Sequence, residues 1–405
     1  MTYSDLKAFK TDIRGAPIDI LFDAEERATF ARRNIMASEF DVFVVGGGPA
    51  GLGAAIAARK AGLEVVVADG FEPPIDKACG EGLLPATLQA LKRLDVHLDS
   101  FEGYPFHGIR FADHQSSVEA SFNGLRALGV RRTTLHARLL ESAQSCGVQF
   151  FWRTEVTQLL DRAVIAGGRV IRARWIVGAD GANSRVRSWI GLNRYSFYLR
   201  RYGFRQHYRL RPWSDRVEVY WEDHGQIYVT PVSDCEVCVA CVSTSPFTRV
   251  ADMLSAFPEL LARLKGAKPA SSERGAITAM HRLKRVYRDN VVLIGDASGG
   301  FDAITGDGIC LSFQQAFALA KALKANDLHL YQRAHRRLSR IPTWLGFHLL
   351  SMDGRPWLRR RVLSTLSANP QLFGRLLSAH IGEASFSDCV KAGAVLGMRL
   401  LASSA

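Results

Sequence analysis

Gly46, Gly48 and Gly51 stand between two apolar runs of different character, and this arrangement restricts the fold more than any other feature of the chain. Residues 40–45, Phe-Asp-Val-Phe-Val-Val, have the composition of a buried strand, and the alanine-rich residues 52–61 read as a closely packed helix. Pro49 and Ala50 complete the turn. In such a G-x-G-x-x-G string the first glycine permits the tight turn, the second lets backbone approach a pyrophosphate, and the third lets helix and strand pack closely. The helix N-terminus then offers unpaired N–H groups and a positive dipole end to phosphates. Residues 63–68 read as a second buried strand, closed by Asp69 at the place where a carboxylate accepts hydrogen bonds from a ribose hydroxyl. Strand, glycines, helix, strand and acid in register specify an α/β dinucleotide-binding unit.

The remaining pattern divides in two. Residues 86–94 and 134–146 read as helices and 174–179 as a short apolar strand. Between residues 202 and 244 long alternating segments, such as Arg216-Val-Glu-Val-Tyr-Trp, argue for an antiparallel sheet with one covered face. Residues 291–294 return to a buried strand, followed by a glycine-rich loop, a helix from about residue 309 and an arginine-rich helical remainder. The expected organisation is an N-terminal extension over 1–39, with Met36 as an alternative start, and a nucleotide-binding domain over 40–195 with insertions near 80–125. An antiparallel-sheet substrate domain follows over 196–285, then a return to the first domain over 286–330 and basic helices over 331–405.

Two further strings indicate which dinucleotide is bound. Ile176-Val-Gly-Ala-Asp180-Gly resembles the Asp-Gly motif of flavoprotein hydroxylases, and Val292-Leu-Ile-Gly295-Asp296-Ala-Ser-Gly resembles their Gly-Asp motif. The chain is thus similar to the FAD-dependent superfamily of aromatic hydroxylases and geranylgeranyl reductases. That resemblance implies a glutathione-reductase-type, Rossmann-like FAD domain with an inserted antiparallel sheet and C-terminal helices. It places Asp180 near the phosphate and ribose region and Asp296 on the ribityl chain. Gly306, Asp307, Gly308 and Ile309 bring a second helix N-terminus towards the isoalloxazine. It also implies cofactor contacts from Arg132, ahead of a helix, and from Val156 beside the adenine. Lys77-Ala-Cys79-Gly-Glu-Gly resembles the reductases' segment beside the flavin. The chain departs from the pattern at Ala303, where both families place proline, and over residues 225–231, where little of the reductases' aromatic segment survives.

The preferred expectation is hydroxylation of an aromatic or phenolic, lipid-tailed small molecule with NAD(P)H and O2. The alternative is reduction of prenyl double bonds, with flavin halogenase and non-catalytic redox sensor behind it. Phe204, Tyr208, Tyr220, Trp221 and Tyr228 are expected to wall the pocket, and His207, His224 and Tyr228 are the candidate bases. Cys79 is the candidate for tuning the flavin or donating a proton.

The 405 residues carry a net charge of +13, which attracts anionic partners. No nucleic-acid-binding string accompanies it, so nucleic acid is not an expected partner. Arg333, Arg336, Arg337 and Arg340, followed by Trp344 and Trp357, suit peripheral contact with an anionic membrane face. No apolar run reaches the roughly 18 residues of a membrane span. An acidic N-terminal segment and seven cysteines without framework spacing point to a cytoplasmic protein with reduced thiols. No metal is expected: alternation should turn Cys235 and Cys241 one way and Cys238 the other, as core residues.

Overall fold

Valine-rich runs too apolar to face water on either side must lie inside a parallel sheet. In the computed structural model, which describes residues 35–402 apart from 100, 194 and 224, the strands Ile35–Val45 and Val65–Ala68 pair in parallel, Val42 opposite Val65 and Val45 opposite Ala68. On the other side Ile35–Val45 runs parallel to Arg169–Gly178, which runs parallel to Val291–Leu293, while Gln149–Phe151 closes the far edge beside Val65–Ala68. The first strand begins at Ile35, ahead of the expected residue 40. The strand expected over 174–179 extends back to Arg169 because Ala163–Ala166 pairs with it as an antiparallel hairpin.

The helix Pro49–Lys60 lies against Gly308–Lys324. A Cβ on Gly53 would stand 2.8 Å from the Phe313 ring, so the small residue sets how closely the two helices approach. The alternating segments form the second sheet, in the order Tyr195–Arg209, Glu236–Ser243, Gly225–Ser233 and Arg216–Glu222, with Arg274–Leu283 also paired to Tyr195–Arg209. Arg216–Glu222 continues in parallel onto Gly108–Ala112, which forms a hairpin with Ser117–Ser121, so the early insertion contributes strands to the later sheet.

Five helices complete the chain: Leu328–Leu338, Arg340–Ser351, Pro356–Ser367, Pro370–His380 and Phe386–Ala402. Leu363, Leu366, Phe373 and Leu377 from this group pack with Phe106, Val219, Trp221 and Ile304, so the helices roof one face of the second sheet. The opposite face is covered by Val250, Leu254, Phe257 and Leu260. Among the described residues no helix is long and apolar enough to cross a membrane.

Candidate active site

The parallel strands end at a common crest, and the fingerprint turn sits there. Gly46 has φ +108°, and a Cβ on it would lie 2.5 Å from the Ala179 carbonyl oxygen, so no larger residue fits the turn. A Cβ on Gly51 would meet the Gly46 oxygen at 1.8 Å, the close approach expected of the third glycine. Gly48 caps the helix that starts at Pro49 and Ala50, and the space where its Cβ would be is open. Asp69 follows the second strand; its Oδ2 accepts from Gly47 N–H at 2.7 Å and its Oδ1 from Phe71 N–H at 2.9 Å. Trp152 packs on Gly47 and stacks with Phe150, an aromatic neighbour of Asp69 that sequence reasoning passed over. Val156 is buried on the adjoining strand Val156–Leu160.

Asp180 lies beside the fingerprint turn, its N–H 3.1 Å from where a Cβ on Gly46 would stand. Its carboxylate accepts from Ser184 Oγ at 2.5 Å, Arg185 N–H at 2.7 Å and Val186 N–H at 3.1 Å, which anchors the short helix Arg185–Trp189 beside the fingerprint. Lys77 and Asp296 face each other at 3.6 Å, both part-exposed. Buried Arg187 donates to the carbonyls of Ala182 and Ala297 and so ties the Asp-Gly turn to the Gly-Asp turn. Gly295, at φ +60°, donates its N–H to Gln315 at 2.8 Å. Asp307 caps the helix Gly308–Lys324, and the Cβ positions of Gly306 and Gly308 are open like that of Gly48. Arg132 begins the helix Arg132–Ser145, and its buried Nε finds no partner among the described residues. Two helix N-termini with unfilled glycine positions, a ribose-competent acid and a waiting guanidinium fit a flavin dinucleotide laid along the crest.

A cavity of about 600 Å³ begins at this crest. Lys77, Cys79, Arg132, Asp296, Gly306, Gly308 and Ile309 border it at one end, and it continues between the second sheet and the helical roof to Leu366, Phe373, Leu377 and Leu400. Cys79 Sγ accepts the Glu81 N–H at 3.4 Å. Tyr228 lines the wall with its hydroxyl buried, and burial pushes its pKa upward. Of the five expected aromatics only Phe204 and Tyr228 line the cavity. Tyr208 and Tyr220 hydrogen-bond instead to Gln206 and Glu218, and Trp221 packs edge-on against Phe111. Phe106, Phe111 and the C-terminal leucines supply the wall in their place.

His207 is not among the cavity residues. Its Nε2 lies 2.6 Å from Glu81 Oε2, and its Nδ1 lies 2.8 Å from Ser271 Oγ and 3.2 Å from the Arg205 guanidinium, so both ring nitrogens are engaged within the protein. The same Glu81 carboxylate accepts the Arg132 N–H at 2.9 Å, and Cys238, the cross-strand neighbour of His207, completes a buried trio. Its ligand atoms lie within 4.8 Å of one another, but the Arg205 guanidinium beside Glu81 and the existing hydrogen bonds occupy the geometry a cation would need. Cys238 and Cys241 are buried; Cys235 lies exposed in the preceding turn, outside the alternation expected to bury it. His224 lies outside the described residues. Glu81, Arg201 and Asp302, all fully buried, were not singled out from sequence, because isolated charged residues without motif spacing read as surface.

Residues 39–329 match the family model described as FAD binding domain. The chain is 26% identical over 327 residues to a menaquinone reductase of Mycolicibacterium smegmatis, covering 74% of this chain and 80% of that one. It is 30% identical over 323 residues to a chloroplastic geranylgeranyl diphosphate reductase of Oryza sativa subsp. japonica, covering 71% and 66%. A flavoprotein/dehydrogenase of Cytophaga hutchinsonii superposes with a TM-score of 0.78 at 19% identity, over 90% of this chain and 100% of that one, which shows a common fold.

Proposed function

This chain belongs to the FAD-binding-domain family of oxidoreductases, and from that premise we propose that it saturates a carbon–carbon double bond in the isoprenoid chain of a lipid. The proposal rests on the cavity, whose walls beyond the crest are almost wholly aliphatic and aromatic and suit a long apolar tail. Each buried methylene of such a tail contributes about 0.8 kcal/mol. The names of the two relatives, which refer to menaquinone and to geranylgeranyl diphosphate, point to the same substrate class.

Bound FAD would supply two-electron chemistry, delivering a hydride equivalent to one carbon of the double bond. Gly46, Gly48, Gly51, Asp69 and Arg132 would hold its nucleotide part, and Lys77, Asp296 and Gly306 to Ile309 would surround the reactive end. Cys79 is the group we assign to protonate the other carbon. It borders the cavity at the crest, and because its sulfur accepts from Glu81 the S–H remains for the substrate. NAD(P)H is the co-substrate we assign: it loses a hydride, the medium loses a proton, and the double bond gains two hydrogens.

Hydroxylation, preferred on sequence grounds, needs a base beside an aromatic ring. His207 is turned into Glu81, and Tyr228 stays a neutral hydroxyl. Mass spectrometry of a polyprenyl lipid incubated with the FAD-loaded protein and NAD(P)H separates the two reactions. Gain of two hydrogens, with or without air, is expected; gain of one oxygen, only in air, would overturn reduction. A membrane-resident substrate also gives the basic C-terminal helices a purpose, and we assign them to an anionic bilayer surface.

A further inference from the structure

The apolar cavity wall includes a buried polar island around Tyr228 and Asp302. The Tyr228 hydroxyl and Asp302 Oδ2, both buried, have no hydrogen-bond partner among the described residues, and both residues line the cavity. Apart from Arg201 Nε, the rest of the island is paired. Asp302 Oδ1 accepts from Arg201 Nη1 at 2.8 Å and from Ile304 N–H at 3.0 Å. Arg201 Nη2 donates to Gln226 Oε1 at 2.5 Å and to the Val242 carbonyl at 3.2 Å. Gln226 Nε2 in turn donates to Asp353 Oδ1 at 2.9 Å, and Asp353 lies 3.5 Å from Arg201. Gln226 and Tyr228 are two apart on one strand and so share a face. Arg201 Nε, also buried, is the third atom of the island without a partner among the described residues, and unpaired buried polar groups are costly, so the two that belong to cavity-lining residues, Tyr228 and Asp302, are suited to receive a guest.

We propose that Tyr228 and Asp302 form a head-group subsite for an uncharged, hydroxyl-bearing lipid, an alcohol or quinol, in preference to a phosphate or carboxylate. The inference rests on the lipid reading of the cavity. Asp302 can only accept, while Tyr228 both donates and accepts, so a hydroxyl, which gives as well as receives, can pair with either. A diphosphate brings only acceptors and negative charge, and it would meet Asp302 and Asp353 with Arg201 already neutralised between them. Asp302 belongs to the loop that leads to Gly306, so a head bound here enters first, with its tail in the roof. The double bond presented to the flavin is then one near the head.

The test titrates FAD-loaded protein with a prenyl alcohol, its diphosphate and a headless polyprene hydrocarbon of equal length, following tryptophan fluorescence, since Trp344 lines the cavity. The alcohol is expected to bind most tightly. Tyr228→Phe, which removes only an unpaired hydroxyl and leaves the ring in place, is expected to weaken the alcohol about three- to tenfold and leave the hydrocarbon unchanged. Asp302→Asn, checked for retained flavin, is expected to weaken it in the same direction. Unchanged alcohol affinity in Tyr228→Phe, or tightest binding by the diphosphate, would overturn the subsite and leave the lipid reading standing. Failure of both alcohol and hydrocarbon to bind would instead overturn the lipid reading itself.

Discussion

Two buried histidines flank the Gly-Asp loop. His281 Nδ1 accepts from Gly300 N–H at 3.3 Å, and His335 Nε2 lies 2.9 Å from Ser298 Oγ, which itself donates to the Gly295 carbonyl. Burial lowers both from an ordinary 6.5 to about 4, with Arg187 adding to the effect at His281. Both are therefore neutral in the folded protein at pH values where the unfolded chain already takes up protons. Their contribution to stability is complete above about pH 6.5 and is lost as pH falls towards 4, at most about 3 kcal/mol for each. Thermal unfolding and flavin retention followed from pH 8 to 4 are expected to decline together in that window, and His335→Gln is expected to flatten the decline. A decline of equal slope in the variant would remove His335 as its cause. None of this was legible in sequence, because a histidine's titration depends on what encloses it. The same holds for Glu81. Its left-handed φ of +59° and its two partners, His207 and Arg132, come from segments far apart in the chain.

At the scale of elements, local pattern and tertiary context divide cleanly. The turn at Gly46 was readable because three glycines, two apolar strands and a helix fall within about thirty residues, and each places its own steric demand. The alternating strands were readable from their period, but their neighbours were not. The parallel pairing of Arg216–Glu222 with Gly108–Ala112 joins segments that share no local signal. The arginine-rich C-terminal helices gave no local signal for a buried cation, yet Arg359 is buried. Its Nη2 donates to Asp223 Oδ1 at 2.7 Å and its Nη1 to the Glu222 carbonyl at 3.1 Å, with buried Asp113 3.9 Å away. Arg359 thus fastens the roof to the hairpin of the second sheet. Arg359→Met leaves Asp113 without its cation and is expected to cost on the order of 3 kcal/mol. Because the crest lies elsewhere, flavin content should persist while hydrogen exchange quickens over residues 340–402 and prenyl-alcohol affinity falls. Quickened exchange throughout the chain would mean that the roof is not a separable unit.

For the whole molecule, the proposed lipid substrate would have to reach a cavity whose far end is walled by the roof helices. Those helices carry exposed Phe347, Trp357, Met398 and Leu401 together with exposed Arg340, Arg355, Arg360 and Arg399. Arg340 and Phe347 are seven apart on one helix and Trp357 and Arg360 three apart on another, so each aromatic shares a face with a cation. Aromatic and basic residues on one face suit the interface of an anionic bilayer, where each arginine near the surface contributes about 1 kcal/mol. The same helix that carries Phe347 also supplies Trp344, Leu345 and His348 to the cavity lining, so it links the exposed face to the cavity wall. Sedimentation with vesicles is expected to show binding to anionic but not zwitterionic lipid at low salt, weakening as salt screens the arginines. Phe347→Ser with Trp357→Ser, both outside the cavity lining, should reduce vesicle binding at least about tenfold while flavin content is unchanged, since each aromatic contributes about 1.5–3 kcal/mol when buried. If anionic vesicles bind the double variant as tightly as the parent protein, the roof is not the membrane face and the lipid must be delivered by another route.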